Sequence, residues 1–520
     1  MSEVPSDLER PPLLGAPYIA HHPMARRVAY IGMGFLMPII ASTQNALLSG
    51  NLGSVAGEAG LTIAESEWLI VAFVAAAAYA NLVVIKGRQQ FGIMRILHWL
   101  LVANVASGLV MLLAHGFIGM VVNRVTNGLQ VSTSVAAGVY YFIQALPKSR
   151  RVLAIALAIA SLQLANPIAA LFPVEMLTHS GNKGFACLST TFASLQLLAV
   201  LLLPLPKTYT GPVIGAVDLL PATLLSIVSV TLVAVLTLGR TLWWTDTPWI
   251  GWLLVTMILF LAPAVAVELC RTRPLLEMGW LSTSTLVKFV VVAIMERLLL
   301  SEQDTGVIGL FTHAGLLNDQ FHTLYLWVIL GMVCGIATMA LTLSPGTIPF
   351  QCIAALVVIA VAAALDTGSN AQSRPVDMYF SQALLGFGTT LFVGPALLYD
   401  IILVFRSDTS NFISAIYVFA ISQSLGSVIG SAVLGSLQYH YQRYALTGLS
   451  NRLAGSASTS LDVLNRGASS LISNLSDQSA VLGYINVFGF VRDLAFGVAA
   501  LLALSFLWMR VTSHAAGRPS

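Results

Sequence analysis

Apolar residues fill this chain in long runs that are separated by short polar segments. With a window of about 19 residues, about fourteen runs are long enough to cross a bilayer. The runs lack the period-two alternation of a membrane β-barrel, so each of them predicts a transmembrane helix. The hydropathy pattern does not fix where the ninth run ends within residues 301–322. The predicted spans are 27–49, 67–85, 95–114, 119–144, 152–175, 185–205, 216–239, 249–270, 285–310, 324–343, 349–365, 378–405, 412–437 and 487–509.

The composition indicates that lipid is the main solvent of this chain. Of its 520 residues, 57% are apolar and only 9% are charged, and the mean hydropathy is +0.84. Because a soluble domain has roughly a quarter of its residues charged, the composition excludes a water-soluble protein. The net charge is only +3, and the Lys and Arg residues lie mostly in short linkers. This pattern indicates how the chain is oriented in the membrane and does not indicate nucleic-acid binding.

No motif of this chain indicates an enzyme. It has no Gly-rich phosphate loop, no nucleophile elbow and no cluster of histidines beyond the pair His21 and His22, so we expect no catalysis, no metal site and no cofactor. ATP-driven transport is excluded by the lack of a soluble nucleotide-binding domain. The cysteines lack the spacing of a metal or redox site and are predicted to be packed thiols. They are Cys187, Cys270, Cys334 and Cys352.

Basic residues in alternate linkers predict the orientation of the chain. If the spans alternate in direction, these linkers and the C-terminal tail all face the cytoplasm. Both termini are then cytoplasmic, and we expect a multi-pass protein of the cell inner membrane. The residues that give this prediction are Lys86, Arg88, Arg95, Lys148, Arg150, Arg151, Lys207, Arg271, Arg273, Arg406, Arg510 and Arg518.

Two longer polar segments interrupt the pattern. Residues 1–24 are rich in proline and in charged residues, which predicts a solvated tail. The insert 438–483 lies between the last two spans, on the external side by this count. Its leucines at helical spacing predict a short amphipathic helical pair, and its Ser, Asn and Gly content leaves a disordered loop as the alternative. Those leucines are Leu446, Leu449, Leu453, Leu471 and Leu475.

Short motifs in register over nearly the whole length resemble a known family. Residues 123–128 are similar to an Arg-x-x-Gln-Gly signature in span 4, and the segment 273–277 is similar to the linker after span 8. With the other motifs, the chain resembles the fourteen-helix drug/proton antiporters of the major facilitator superfamily, in particular the EmrB-like branch. The other motifs are 45–53, 268–269, 386–388 with Pro395, 423–430 and 484–488.

The resemblance implies an all-α membrane protein with the major facilitator fold. About fourteen transmembrane helices would form two six-helix bundles plus two additional helices. The implied organisation is a cytoplasmic tail (1–26), an N-terminal bundle (27–206), the two additional helices with their linkers (207–275), a C-terminal bundle with the periplasmic insert (276–510) and a second cytoplasmic tail (511–520).

The resemblance also implies a function and its partners. The expected activity is proton-coupled export of amphipathic organic compounds, drugs or toxic metabolites, by alternating access. The expected partners are the substrate, protons and lipid, with a periplasmic membrane-fusion adaptor and an outer-membrane channel. Two alternatives stay open, namely a non-transporting receptor or assembly subunit with this fold, and an importer or uniporter.

Several departures from the family fall on residues that it uses for coupling. Span 1 contains no acid over 39–45, where the family has an Asp. The conformational linker between spans 2 and 3 keeps Gly92 and Arg95 but has Gln89 in place of an acid, and the Gly-Pro pair of span 5 is replaced by Asn166-Pro167. Proton coupling must therefore use other residues.

Arg124 is the first candidate for that role. A charged side chain at mid-bilayer costs about 2.5 to 3.5 kcal/mol, so a charge inside a span points to function. An Arg in span 4 can hold an anion or act on the protonation of a carboxylate in a central cavity. The alternative is an Arg that snorkels or bonds to carbonyl groups near a helix end.

Span 9 carries an unusual group of charges. Glu296 is the best replacement for the missing proton site, because a desolvated carboxylate can load and release protons near neutral pH. Lys288, Arg297, Glu302 and Asp304 would add charge to the same cavity. The alternative is that the span ends near residue 300 and that these charges surround its external mouth.

A second candidate acid and a set of polar side chains complete the predicted site. Asp400 follows Pro395 in span 12 and is a proton-coupling candidate, with a place near the cytoplasmic headgroups as its alternative. Polar and aromatic residues in other spans can contact substrate, although hydrogen bonding between helices is the common role of such residues. These substrate candidates are Gln130, Tyr140, Gln163, Asn166, Gln382 and Gln423.

Overall fold

The computed structural model is helical over nearly all the residues that it describes. The described residues are 8–9, 11, 14–113, 116–213, 215, 218–271, 274, 283–344, 346–407, 412–455 and 457–515. The two strands, β1 (Leu8–Glu9) and β2 (Ile19–Ala20), pair antiparallel near the N-terminus.

Helices follow the apolar runs closely. The first part of the chain forms α1 (Met24–Gly50), α2 (Leu52–Glu58), α3 (Ile63–Phe91), α4 (Ile93–Leu113), α5 (Phe117–Ala145), α6 (Arg151–Leu162), α7 (Ala165–Ala169), α8 (Val174–Leu202), α9 (Leu219–Leu242) and α10 (Pro248–Cys270). The rest forms α11 (Ser284–Ser301), a π turn (Glu302–Val307), α12 (Ile308–His313), α13 (His322–Thr342), α14 (Ile348–Asp366), α15 (Tyr379–Ser407), α16 (Phe412–Gly455) and α17 (Ala457–Ala515).

Twelve helices in the described part of the chain are long and apolar enough to cross a membrane. Each predicted segment overlaps at least one helix, and the fifth, 152–175, covers α6, α7 and the first residues of α8. The two segments that are not among the twelve are α5 and the run from α11 to α12. Both carry charged side chains within an apolar sequence, Arg124 in α5 and Glu296 in α11. The all-α membrane fold is confirmed, and the ninth segment continues past residue 301 to His313.

The chain divides into two compact units. In the first unit, α5 packs against α1, α3 and α4, and α9 packs against α3 and α10. In the second unit, α14 and the π turn pack against α17. The first unit consists of Met1–Ala293, Met339–Leu343 and Val393–Leu425, and the second of Ile294–Thr338, Ser344–Phe392 and Gly426–Ser520.

Small residues allow these helices to approach closely. A Cβ on Gly128 of α5 would lie 2.5 Å from the carbonyl oxygen of Phe73 in α3. In the second unit, a Cβ on Gly426 of α16 would lie 2.9 Å from the Cβ of Arg297 in α11. Helix packing in lipid depends on such contacts because no hydrophobic effect drives it.

The N-terminal tail is not solvated over residues 14–20, so that expectation was wrong there. Tyr18 donates its backbone N–H to the Lys207 carbonyl at 2.8 Å, and Gly15 donates to the Tyr209 carbonyl at 2.8 Å. The side chain of Gln144 donates through Nε2 to the Tyr18 carbonyl at 2.8 Å. Proline-rich sequence favours an extended backbone. The backbone N–H groups of Gly15 and Tyr18 bond to residues 207–209, which follow α8.

The insert 438–483 is helical over its described residues. It continues the last two spans, so that α16 has 44 residues and α17 has 59, instead of forming a separate helical pair. A helix rises 1.5 Å per residue, so α16 is roughly 66 Å long, about twice the hydrocarbon thickness of a bilayer. Both helices therefore extend well beyond the lipid.

We predict that Gln144→Ala releases the tail from the end of α5. This change removes the bond to Tyr18 and the bond that Gln144 Oε1 accepts from Ala20 N at 3.3 Å. Chymotrypsin cleavage after Tyr18, measured by mass spectrometry in detergent, should become several times faster. Asn486→Ala is the control, because among the described residues the Asn486 side chain bonds only to Leu482 of its own helix. Equal cleavage rates in both variants would contradict the docking.

Candidate functional site

Arg124 lies at the centre of a buried polar cluster in the first unit. Its guanidinium is 1% exposed and donates to the Gln44 carbonyl at 3.2 Å and to Asn45 Oδ1 at 2.7 Å. It also donates to Asn127 Oδ1 at 3.5 Å and lies 5.0 Å from the centre of the Phe73 ring. The snorkelling alternative does not fit this burial, although carbonyl and amide oxygens do bind the guanidinium.

Amide side chains extend this cluster across four helices. Gln44 Oε1 of α1 accepts from Asn127 Nδ2 of α5 at 2.6 Å and from Asn104 Nδ2 of α4 at 2.9 Å. Gln130 of α5 donates to Gln196 Oε1 of α8 at 2.8 Å. Each amide presents a donor and an acceptor, so the cluster satisfies most of its own polar groups.

The charge of Arg124 has no carboxylate partner among the described residues. All three of its hydrogen bonds are to neutral oxygens, and its Nε atom makes none. Span 1 supplies Gln44 and Asn45 where the resembled family has an acid nearby. A buried cation that is held only by neutral dipoles can attract an anionic group.

A second buried polar cluster lies in the second unit. Glu302, the first residue of the π turn, is 0% exposed, and Asp366 at the end of α14 is 2% exposed. Asp366 accepts hydrogen bonds from Ser381 Oγ and from Gln382 Nε2, the latter at 2.8 Å. Gln303 Nε2 donates to Gln382 Oε1 at 3.3 Å. Three helical elements therefore converge on two carboxyl groups.

The other charges of span 9 lie on the same helical run. Glu296 is 1% exposed, Arg297 is half-buried, and Asp304 is exposed. Because the helix continues through the π turn, Glu296 lies within it and not at its end. The Arg297 charge interacts with the charges of Glu296 and Asp304. The side chains of Lys288 and Asp400 lie outside the described part of the structure.

The predicted substrate candidates do not form one group. Gln130 belongs to the Arg124 cluster, and Gln382 belongs to the Asp366 cluster. Tyr140 is half-buried beside the apolar core of the first unit. Gln163 and Gln423 are half-buried, and Asn166 is exposed.

An ion network joins the C-terminal end of α3 to α9 and α10. Asp218 accepts from Lys86 Nζ at 3.0 Å and from Arg271, and Arg271 also pairs with Glu268 at 3.1 Å. The backbone N–H of Gly215 donates to the other Asp218 oxygen at 3.0 Å. Asp218 thus supplies a carboxylate to the end of α3, where Gln89 takes the position of the acid that the resembled family has there.

The predicted conformational linker with Gly92 and Arg95 is mostly helical, and Gly92 alone separates α3 from α4. Gly92 ends α3 with φ +88°, a left-handed conformation that favours glycine. A Cβ there would lie 3.2 Å from the Thr208 Cβ, so the docked segment after α8 also requires a small residue. Arg95 is exposed in the first turn of α4.

Sequence reasoning missed several residues of these clusters. Asp366 directly follows the predicted span 349–365, and Asp218 lies at the start of the predicted span 216–239, so both positions read as ordinary helix ends. Gln44 and Asn104 are single amides in apolar sequence. An acid at the last position of a span was the available signal, but only the fold shows that Asp366 turns inward.

Comparisons with known proteins show the fold. No protein-family model matches the chain, and no curated protein matches it in sequence. The structure of a bacterial homologue of the human drug peptide transporters PepT1 and PepT2 is similar, with a TM-score of 0.56 and 13% identity over 94% of this chain and 99% of that one. Tetrameric PepTSo2 is similar with a TM-score of 0.54 and 13% identity over 93% and 99%. The chain has the major facilitator fold, and membership of the EmrB-like branch stays a prediction.

The ion network predicts a pH-dependent stability. Burial acts to raise the pKa of Asp218, but bonds from the Gly215 amide, Arg271 and Lys86 hold this pKa below its ordinary value of 3.8. A lowered pKa in the folded state stabilises the protein above the unfolded value of about 3.9, and the contribution is lost as the pH falls through the folded value.

Asp218→Asn should therefore lower the thermal unfolding temperature at neutral pH by a few degrees. The difference from wild type should begin to shrink as the pH falls below about 4, and it should vanish below the folded-state pKa of Asp218. The control is Asp246→Asn, because in the described part of the chain the Asp246 carboxylate accepts only from the neighbouring Thr245 hydroxyl. Differential scanning fluorimetry across this pH range tests it. An unchanged difference at acidic pH would show that Asp218 acts by packing and not by charge.

Proposed function

We propose that this protein is a proton-coupled secondary transporter that exports amphipathic organic compounds by alternating access. The observation that carries the proposal is the pair of buried polar clusters, one around Arg124 and one around Glu302, inside otherwise apolar helices. A buried charge costs about 2.5 to 3.5 kcal/mol in a span, and neither cluster is needed to build helices in lipid. Such groups mark ion and substrate pathways in membrane proteins.

The proton site belongs to the acidic cluster of the second unit. Glu296 of the second unit and Asp400 of the first unit are the acids predicted from sequence, and the burial of Glu296 supports a desolvated carboxyl. Glu302 and Asp366 add two buried carboxyls to the second unit. A carboxyl in such a place changes its protonation with its access to water, which is what coupling to a proton gradient requires.

The predicted substrate residues lie in different surroundings. Gln130 and Gln382 already make hydrogen bonds, so they can bind substrate only by exchanging partners. Tyr140, Gln163, Asn166 and Gln423 keep their proposed roles beside them. An amphipathic compound with a negative group would suit Arg124, whose charge no carboxylate in the described chain neutralises.

The resemblance also supports partners for export. We include in the proposal an inner-membrane location with cytoplasmic termini, a periplasmic membrane-fusion adaptor and an outer-membrane channel. The extended ends of α16 and α17 provide a helical projection outside the lipid for an adaptor to contact. A receptor or assembly subunit without transport, and an importer or uniporter, are the alternatives that the transport test separates.

A reconstituted assay tests the proposal. Proteoliposomes that contain a trapped pH dye are given a panel of amphipathic anions, cations and neutral compounds. We expect at least one compound to move protons in the opposite direction to itself. Proton movement in the same direction would indicate an importer. The absence of proton movement and of compound movement across the whole panel would leave the receptor alternative.

Arg124→Gln should separate function from stability. Since no described carboxylate pairs with Arg124, the change leaves no orphaned counter-charge, and it removes a costly buried cation. We expect at least a tenfold loss of transport with an unfolding temperature no lower than that of wild type. Arg443→Gln, at an exposed position on α16, is the control. A large loss of stability in Arg124→Gln would instead assign Arg124 a structural role.

A further inference from the structure

Glu302 is a carboxyl whose burial the fold does not explain. It is fully buried, and neither of its carboxyl oxygens has a hydrogen-bond partner among the described residues. An ionised carboxylate here would lose its hydration and gain no donor in exchange, which is strongly unfavourable. The neutral, protonated form avoids most of this cost. The π turn that holds Glu302 is a rare feature that occurs frequently at functional sites.

Asp366 is in the opposite situation. It is also buried, but the Ser381 hydroxyl and the Gln382 amide both donate to its oxygens. Donors of this kind stabilise the ionised form of a carboxyl. Gln382 joins the two positions, because it donates to Asp366 at 2.8 Å and accepts at 3.3 Å from Gln303, the residue next to Glu302. The charges of Asp366 and Glu302 therefore interact. Two neighbouring carboxyls in apolar surroundings cannot both ionise at low cost.

We infer that Glu302 and Asp366 form the carboxyl pair that carries the transported proton, with the proton on Glu302 and the negative charge on Asp366 in this structure. This inference rests on the proposed function and narrows it, because it assigns the proton to this pair and not to Glu296. Gln382 and Ser381 are positioning residues, since they hold Asp366 in place.

No neighbouring cation neutralises Glu302 in the described chain. Arg297 lies on the same helical run, but its charge interacts with Glu296 and Asp304. The other helices of this unit also carry titratable groups. They include Tyr325, His322 and Cys334 on α13, Cys352 on α14, Tyr379 on α15, His313 on α12, and Asp477, Tyr484, Arg492 and Asp493 on α17.

The polar groups favour a proton over a metal cation. Ser381 and Gln382 present donors to Asp366, whereas Na⁺ would require several oxygen acceptors around it. The coupled step is then simple. Glu302 gives its proton to water on the side to which the pair opens, which leaves two negative carboxyls and one hydronium ion. Because that doubly charged state is unfavourable, a proton from the other side replaces the one that was released.

Infrared difference spectroscopy of the full-length protein in nanodiscs tests the pair without any substrate. Between mildly acidic and mildly alkaline pH, wild type should lose a protonated-carboxyl band. Glu302→Gln should abolish that band, and Asp366→Asn should shift the pH midpoint at which it disappears. Gln has nearly the shape of a protonated Glu, so the variant should fold. The controls are Glu296→Gln and Glu58→Gln, the latter at an exposed position.

Retention of the band in Glu302→Gln, or its loss in Glu296→Gln, would overturn the inference. A transport assay distinguishes a failure of this inference from a failure of the proposed function. With a compound that wild type exports, Glu302→Gln should lose at least tenfold of the transport driven by a pH gradient, and Glu302→Asp should lose less. Transport driven by a Na⁺ gradient alone would assign the pair to sodium. If wild type moves no compound, the proposed function fails even where the infrared result stands.

Discussion

Lipid offers no hydrogen-bond partner, so every polar group inside the membrane must find one within the protein. The backbone meets this demand by forming helices, and this accounts for nearly all of the described chain. Side chains meet it by gathering, because single amides such as Gln44 and Asn104 satisfy each other only when helices bring them together. The position of the polar clusters thus follows from the same constraint that makes the chain helical.

Arg124 and Glu302 meet this constraint in different ways. Arg124 keeps its charge by binding neutral oxygens and the face of Phe73, so its environment is polar without being ionic. Glu302 has no such donors, and its neutral form is the one that fits its surroundings. A cation held by dipoles and a carboxyl that can gain or lose its charge are the two features on which the proposed coupling of an anionic compound to a proton rests.

At the C-terminal end of α3, a carboxylate from a distant part of the sequence takes the place of a local acid. The end of α3 has Gln89 where the resembled family has an acid, but Asp218 pairs there with Lys86 and Arg271. The docked tail and the segment around Thr208 cover the same end of α3. The start of α9 and the end of α10 therefore help to hold the turn from α3 to α4.

The sequence by itself determined the solvent, the helical class and the position of each span, because hydropathy over 20 residues reports directly on the cost of burial in lipid. It also identified Arg124, Glu296 and Glu302 as charges in apolar surroundings. Only the tertiary structure decided which of them meet. Pairing with Asp366 depends on the π turn and on how α14 ends, and such long-range packing leaves no periodic trace along the chain.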